Sequence, residues 1–235
     1  MLKSSKGLTV CLTALVFMSV SVFFLLKPSP GLADAATQAP AASSPDLLAA
    51  PAASKIDIAA AMQDRILGNE SAPVTIIEYA SLTCPHCAHF STEVLPKLKK
   101  SLLDTGKARL IYRDFPLDQF ALKAAMMARC VSPLQYYNMI EVIFSNQDRW
   151  VKAKDPLAEL EKLGTLAGMD AADFKSCTAN HDLETAVLNR MQEAQTKYKV
   201  GSTPTFIFND GAEKLTGAED PEKFEAIVNK LTKGK

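Results

Sequence analysis

The chain has 235 residues, 48% of them hydrophobic, which suffices for one well-packed domain with an N-terminal segment to spare. Its 26 Lys and Arg balance 26 Asp and Glu, so no strong field exists to gather nucleic acid or an anionic membrane surface. Partners must be recognised by shape and local chemistry.

Lys3 and Lys6 precede an almost purely apolar run from Leu8 to Leu26, which Lys27-Pro28 closes. The pattern predicts a signal peptide or membrane anchor over residues 1–27, with the N-terminus retained in the cytoplasm and the body exported. The run falls in the range of roughly 17–25 residues that can span a bilayer. Ala33-Asp34-Ala35 is a small-x-small triplet at which a signal peptidase could cut, so both fates stay open. Cys11, inside the run, reads as a small hydrophobe.

Residues 28–55 are Ala, Pro and Ser with little large apolar surface, a flexible tether. The folded domain is expected over 56–235, opening with a short amphipathic helical stretch from Ile56 to Leu67. Val74 to Tyr79 is rich in β-branched residues and reads as a central strand, with Glu78 as its one anomaly. A helix follows directly: Pro85 suits its first turn, and Phe90, Val94, Leu95, Leu98 and Leu102 recur at helical spacing until Gly106 stops it. Pro96 is expected to kink it. Ala108 to Arg113 is the next strand, giving a parallel strand-helix-strand unit. Residues from about 118 to 198 hold helical periodicities and no convincing strand, so they predict a helical insertion. Within it, Trp150 and the Met126-Met127 pair read as core. Thr205 to Phe208 and Glu213 to Leu215 then form a hairpin around Asn209-Asp210-Gly211, and a last helix starts at Asp220-Pro221. The sum is an α/β sandwich interrupted by helices.

The chemistry concentrates at Cys84-Pro85-His86-Cys87, just after a strand and at a helix start. There, unpaired backbone N–H groups and the helix dipole favour a thiolate on the first sulfur. The dipole supplies up to about 2 kcal/mol, roughly 1.5 pK units, whereas such motifs reach shifts of about 1–5 units. Other groups must therefore help: first-turn N–H groups, the Cys87 thiol, or the His86 imidazole. A low pKa makes Cys84 a good leaving group, so a disulfide held here passes readily to substrate thiols, and Cys87, one turn on, is placed to resolve a mixed disulfide. Glu78 would be expensive in a central strand if charged and unpaired; it reads either as a proton acceptor for Cys87 or as a strand-end carboxylate paired with Lys or Arg. His89 lies within reach of the site or in solvent. A zinc site made by Cys84, His86, Cys87 and His89 is the competing reading, but crowding at one helix start argues against it, and no metal or cofactor is expected.

The stretch from Glu78 to Cys87 resembles the active-site segment of the DsbA family of bacterial periplasmic thiol:disulfide oxidoreductases, in the thioredoxin-like superfamily. Tyr112-Arg113-Asp114-Phe115-Pro116-Leu117 is similar to that family's second strand exit, and Gly201-Ser202-Thr203-Pro204-Thr205-Phe206 to its cis-proline loop. The resemblance implies a thioredoxin-like fold with an inserted helical domain. It also implies a cis bond before Pro204 beside Cys84, a Thr203 backbone free to pair with an extended substrate, and a redox-active Cys84/Cys87 disulfide. Thr203 stands where some oxidases carry an aliphatic residue. Activity, partners and place follow by the same implication: a monomeric oxidase of reduced exported proteins in the periplasm, re-oxidised by a quinone-linked membrane protein. An isomerase or reductase of the same fold is the alternative, since direction depends on potential. Cys130 and Cys177, left over in an oxidising compartment, are most simply a structural disulfide, as in some branches of the family; two free buried thiols are the other reading.

Overall fold

The protein is described here from a computed structural model over residues 56–233. The leader or anchor expected over 1–27 and the tether over 28–55 lie outside the described residues. Among those described, no helix is long and apolar enough to cross a membrane.

Five strands form one mixed sheet, β1 (Ile66–Gly68), β2 (Val74–Ala80), β3 (Ala108–Asp114), β4 (Thr205–Phe208) and β5 (Glu213–Thr216), in the order β1-β3-β2-β4-β5. β2 and β3 are parallel, with Val74 opposite Ala108 and Glu78 opposite Tyr112. The other pairings are antiparallel. β2 is the middle strand, which is why six of its seven residues are buried and its sequence is apolar on both faces. Strand alternation then divides its side chains. Val74 and Ile76 join a core with Phe90, Leu98, Phe206 and Phe224, while Ile77 and Tyr79 pack on the opposite face with Ile111, Ala194 and Ile207. Glu78 shares the parity of Val74 and Ile76 and therefore points to the face that carries the helix after Cys84.

One expectation fails at the start of the domain. The helical stretch from Ile56 to Leu67 is only the four-residue α1 (Ile58–Ala61), capped by Asp57. Ile66 and Leu67 instead belong to β1, paired with Ile111 and Leu110. A three-residue edge strand is too short for alternation to show, and it exists because β3, more than forty positions away, offers an edge.

The helix after Cys84 runs as α2 (Pro85–His89), a π-helical turn (Phe90–Val94), α3 (Leu95–Leu98) and a second π-helical turn (Lys99–Leu103). Pro96 has no N–H to give and its ring crowds the carbonyl four residues back; the wider π turn just before it accommodates that loss within the helix. Gly106 then takes φ of +71° and the chain turns back into β3. Together with α10 (Pro221–Lys233) this helix covers one face of the sheet, and the rings of Phe90, Phe206 and Phe224 lie 4.5–5.6 Å apart between them.

The insertion is α4 (Gln119–Cys130), α5 (Tyr136–Ser145), α6 (Gln147–Val151), α7 (Pro156–Leu166), α8 (Ala171–Thr178) and α9 (His181–Lys197). Asp118, Asp155, Asp170 and Asn180 cap four of these helices by accepting from their first-turn N–H groups. Met126, Met127, Tyr136, Trp150 and Leu160 fill its core, and the same cluster takes in Ala80, Leu82, Cys84 and Cys87. The insertion thus packs against the C-terminal end of β2. Its bond to the sheet includes a buried ion pair, Arg129 Nε to Asp114 Oδ2 at 2.7 Å, with the guanidinium 4.8 Å from the Tyr136 ring centre. Cys130 and Cys177 are joined by a disulfide that ties α4 to α8. This is the thioredoxin-like fold with an inserted helical domain.

Candidate active site

β2 ends at Ala80, and Ser81 to Thr83 form a tight turn closed by the Cys84 N–H donating to the Ser81 carbonyl at 3.1 Å. Cys84 is the residue before the helix, in extended conformation, with Pro85 in the first turn. Cys84 is nearly buried and Cys87 wholly so, at 7% and 0% exposure. Both are thiols here. The Cys84 sulfur lies 3.4 Å from the Thr203 carbonyl oxygen, to which it donates when protonated, and the Thr203-Pro204 peptide is cis. The cis loop therefore stands directly against the outer sulfur.

Cys84 is pushed down to about 5, first by a hydrogen bond from the Cys87 thiol, then by the Thr203 side chain and the backbone N–H groups of Cys87 and His86, against an opposing effect of burial. The Thr203 hydroxyl is buried with no partner other than that sulfur, so it is free to donate to a thiolate. Burial, the Cys84 sulfur and Glu78 all push Cys87 upward. One sulfur is therefore a thiolate at neutral pH and its neighbour holds its proton. His86 contributes through its main chain; its imidazole is exposed, as is His89. Pro85 is exposed as well, and Pro204 is buried.

Glu78 is 2% exposed, and burial together with the nearby Cys84 sulfur pushes it up to about 8. Its Oε1 has no hydrogen-bond partner, and among the described residues no Lys or Arg forms an ion pair with it. The strand-end ion-pair reading of Glu78 therefore has no partner behind it. A carboxyl held neutral by burial beside the Cys87 thiol has the chemistry to give or take a proton there. Among the described residues, no group of three or more His, Cys, Asp and Glu side chains is placed to hold a metal.

Two residues of the site, Thr83 and Gln147, carried no sequence signal of their role. Thr83 Oγ1 donates to Asp118 Oδ2 at 2.6 Å, linking the redox loop to the cap of α4. Gln147, buried at the start of α6, donates through Nε2 to the carbonyls of Leu82 and Cys84, at 2.8 and 3.0 Å. Asp118 is legible as a helix cap, but a threonine in a loop and a glutamine in an amphipathic stretch are the commonest of surface residues.

The model of the family described as thioredoxin matches residues 60–230. A Rickettsia conorii relative named as a protein-disulfide oxidoreductase is 34% identical over 149 residues, 62% of this chain and 53% of that protein. The disulfide bond formation protein D of Bacillus subtilis is 25% identical over 183 residues, 72% of this chain and 78% of that protein. The chain spans about half the length of the first of these relatives. The crystal structure of alpha-DsbA1 from Wolbachia pipientis superposes with a TM-score of 0.66 at 32% identity, covering 72% of this chain and 91% of that one. With a family match over residues 60–230, a paired-cysteine helix start and relatives of this kind, the chain belongs to the thioredoxin family, in its DsbA-like branch of thiol:disulfide oxidoreductases.

Proposed function

We propose that this protein is an exported disulfide oxidase, which introduces disulfide bonds into reduced secreted or periplasmic proteins through Cys84 and Cys87. The observation that carries the reading is the asymmetry of the pair: an acidic Cys84 with several donors around it, beside a buried Cys87 that keeps its proton. Stabilising the Cys84 thiolate stabilises the reduced form, and a stabilised reduced form is what makes a disulfide a strong oxidant.

The reaction balances as two exchanges. A substrate thiolate attacks Cys84 of the Cys84–Cys87 disulfide; that bond breaks, a mixed disulfide forms, and the Cys87 thiolate takes a proton from Glu78. The second substrate thiolate then attacks the substrate sulfur of the mixed disulfide and releases Cys84 as a thiolate. The substrate loses two electrons, which rest on the Cys84/Cys87 dithiol. Thr203 and Pro204 line the approach, with the Thr203 backbone pairing to an extended substrate, while Pro85 and His86 shape the helix start.

Re-oxidation falls to a quinone-linked membrane protein, and the protein acts as a monomer in the bacterial periplasm, anchored by residues 8–26 or released from them. Cys130 and Cys177 serve as a structural disulfide. The test is the equilibrium of the Cys84/Cys87 pair against glutathione, with the Cys84 thiolate titrated on the same sample. A potential well above that of thioredoxin, about −270 mV, with a midpoint near 5 is expected. A thioredoxin-like potential would overturn the oxidase direction and turn the search to a reductase or isomerase.

A further inference from the structure

The redox loop is held from two sides by the helical insertion. Thr83 is tied to Asp118 at the cap of α4, and the carbonyls flanking Thr83, those of Leu82 and Cys84, both accept from Gln147. Gln147 has the two donors of a side-chain amide, and both are directed at the redox loop rather than at the insertion that carries it. Its side chain is 7% exposed, a position where an amide is costly unless bonded. The Cys84 carbonyl already accepts the Ala88 N–H at 3.1 Å, the bond the helix start requires. The bond from Gln147 is therefore additional to what the helix needs.

Gln147 is itself well placed to hold the loop still. It begins α6, whose Trp150 is 0% exposed and donates through Nε1 to the Ile143 carbonyl at 3.1 Å. On the other side of the loop, the Cys84 sulfur meets Thr203, Cys87 and the N–H groups of the first turn, with Glu78 of β2 below. Rotation of the peptide that follows Cys84 would move the sulfur and the first-turn N–H groups together, because the carbonyl held by Gln147 belongs to that peptide.

We infer that Gln147 is a positioning residue of the redox centre, an amide clamp through which the helical insertion fixes the Leu82 to Cys84 loop and aims Cys84 at its donors. The inference deepens the oxidoreductase reading and rests on it. Without the clamp the loop samples orientations in which the Cys84 thiolate lacks part of its donor set. Thiolate acidity then falls, and the reduced form loses the same factor of stabilisation.

The experiment uses the full chain. The Cys84 thiolate is titrated, and the glutathione equilibrium measured, for the native protein, Gln147→Met, Gln147→Asn and, as a control inside the same insertion, Leu160→Ala. Gln147→Met keeps the length and removes both donors; a loss of thiolate acidity of about ten-fold is expected, with a drop in potential of about 30 mV for a ten-fold change in the equilibrium constant. Leu160→Ala is expected to lower the melting temperature and leave the thiolate where it was. A Gln147→Met titration that coincides with the native one overturns the inference, as does an equal shift in Leu160→Ala, which would make the effect one of general packing. If Gln147→Met does not fold, Gln147→Asn decides: its shorter amide reaches less well, so a smaller shift in the same direction is expected and an unchanged titration overturns the inference. A native thiolate that titrates near 9 would instead sink the redox reading beneath it.

Discussion

The molecule holds two cysteine pairs within one continuous core, and their surroundings differ in kind. Cys84 and Cys87 sit at a helix start, where a thiol, a hydroxyl and two main-chain N–H groups converge on one sulfur and a buried carboxyl lies under the other. Cys130 and Cys177 join two helices of the insertion, with Cys177 at 0% exposure. Both of these cysteines stand in the last turn of their helices rather than at a helix start. The contrast lies in the surroundings: donors converge on Cys84, whereas half-buried Cys130 and buried Cys177 stand away from the helix start that favours a thiolate.

The sharpest way to break that contrast is to remove the reactive sulfur. Cys84→Ala is expected to abolish exchange with model dithiols, read as loss of insulin reduction and of peptide oxidation. Cys87→Ala is expected to accumulate mixed disulfides through Cys84, visible by mass spectrometry. Activity that survives the first change sinks the assignment.

Replacing both Cys130 and Cys177 by Ala is the opposite probe. Cross-linking residues 47 apart contributes on the order of 4 kcal/mol in the chain-entropy account, so denaturant unfolding should show a loss of that size. The Cys84 titration should stay in place. A large shift in it would show that the two pairs are not independent.

Glu78→Gln separates proton handling from packing. Proton transfer by a positioned group contributes typically 10²–10⁴-fold, so a loss of about ten-fold or more in the exchange rate at pH 7 is expected. Stability moves the other way. Glu78 has its pKa raised to about 8 in the folded protein, so the unfolded chain releases that proton first and the folded state is penalised increasingly above the ordinary carboxyl range. The penalty levels off above 8. The Gln variant should therefore be more stable at pH 7, by about 3 kcal/mol, and no more stable at pH 4.

A further effect is graded with pH. Cys84 is depressed to about 5 from 9.0, so it stabilises the reduced protein fully above 9, and that contribution is lost as pH falls through 5. The oxidised protein has no such group. The melting temperature of the reduced form minus that of the oxidised form should shrink from pH 8 downward and level off below about 4. A difference that does not vary with pH would mean that Cys84 is an ordinary thiol.

Much of this centre was legible locally. Cys-x-x-Cys after a strand and before a helix needs only neighbours in sequence to acquire its dipole and its N–H donors, so Cys84 and Cys87 could be read directly. Glu78 was legible as an anomaly, because a charge in a β-branched run has few innocent explanations, yet its lack of a basic partner depended on what β3 and the helices placed around it. The expectation for His86 was wrong in its atom: the main chain serves the sulfur and the ring faces solvent. The stretch from Ile56 to Leu67 was misread because a three-residue edge strand has no period to detect.

The sequence by itself determined the secondary elements with long repeats, the place of the redox helix and the helical character of the insertion, since these rest on spacing and on residues within one turn of each other. Only the tertiary structure decided that β1 is a strand, that Asp114 and Arg129 pair, that Thr203 faces Cys84, and that Gln147 holds the redox loop. Each of those contacts joins positions from 15 to well over a hundred residues apart, or consists of hydrogen bonds from a residue type found on any surface, so no local pattern announces it.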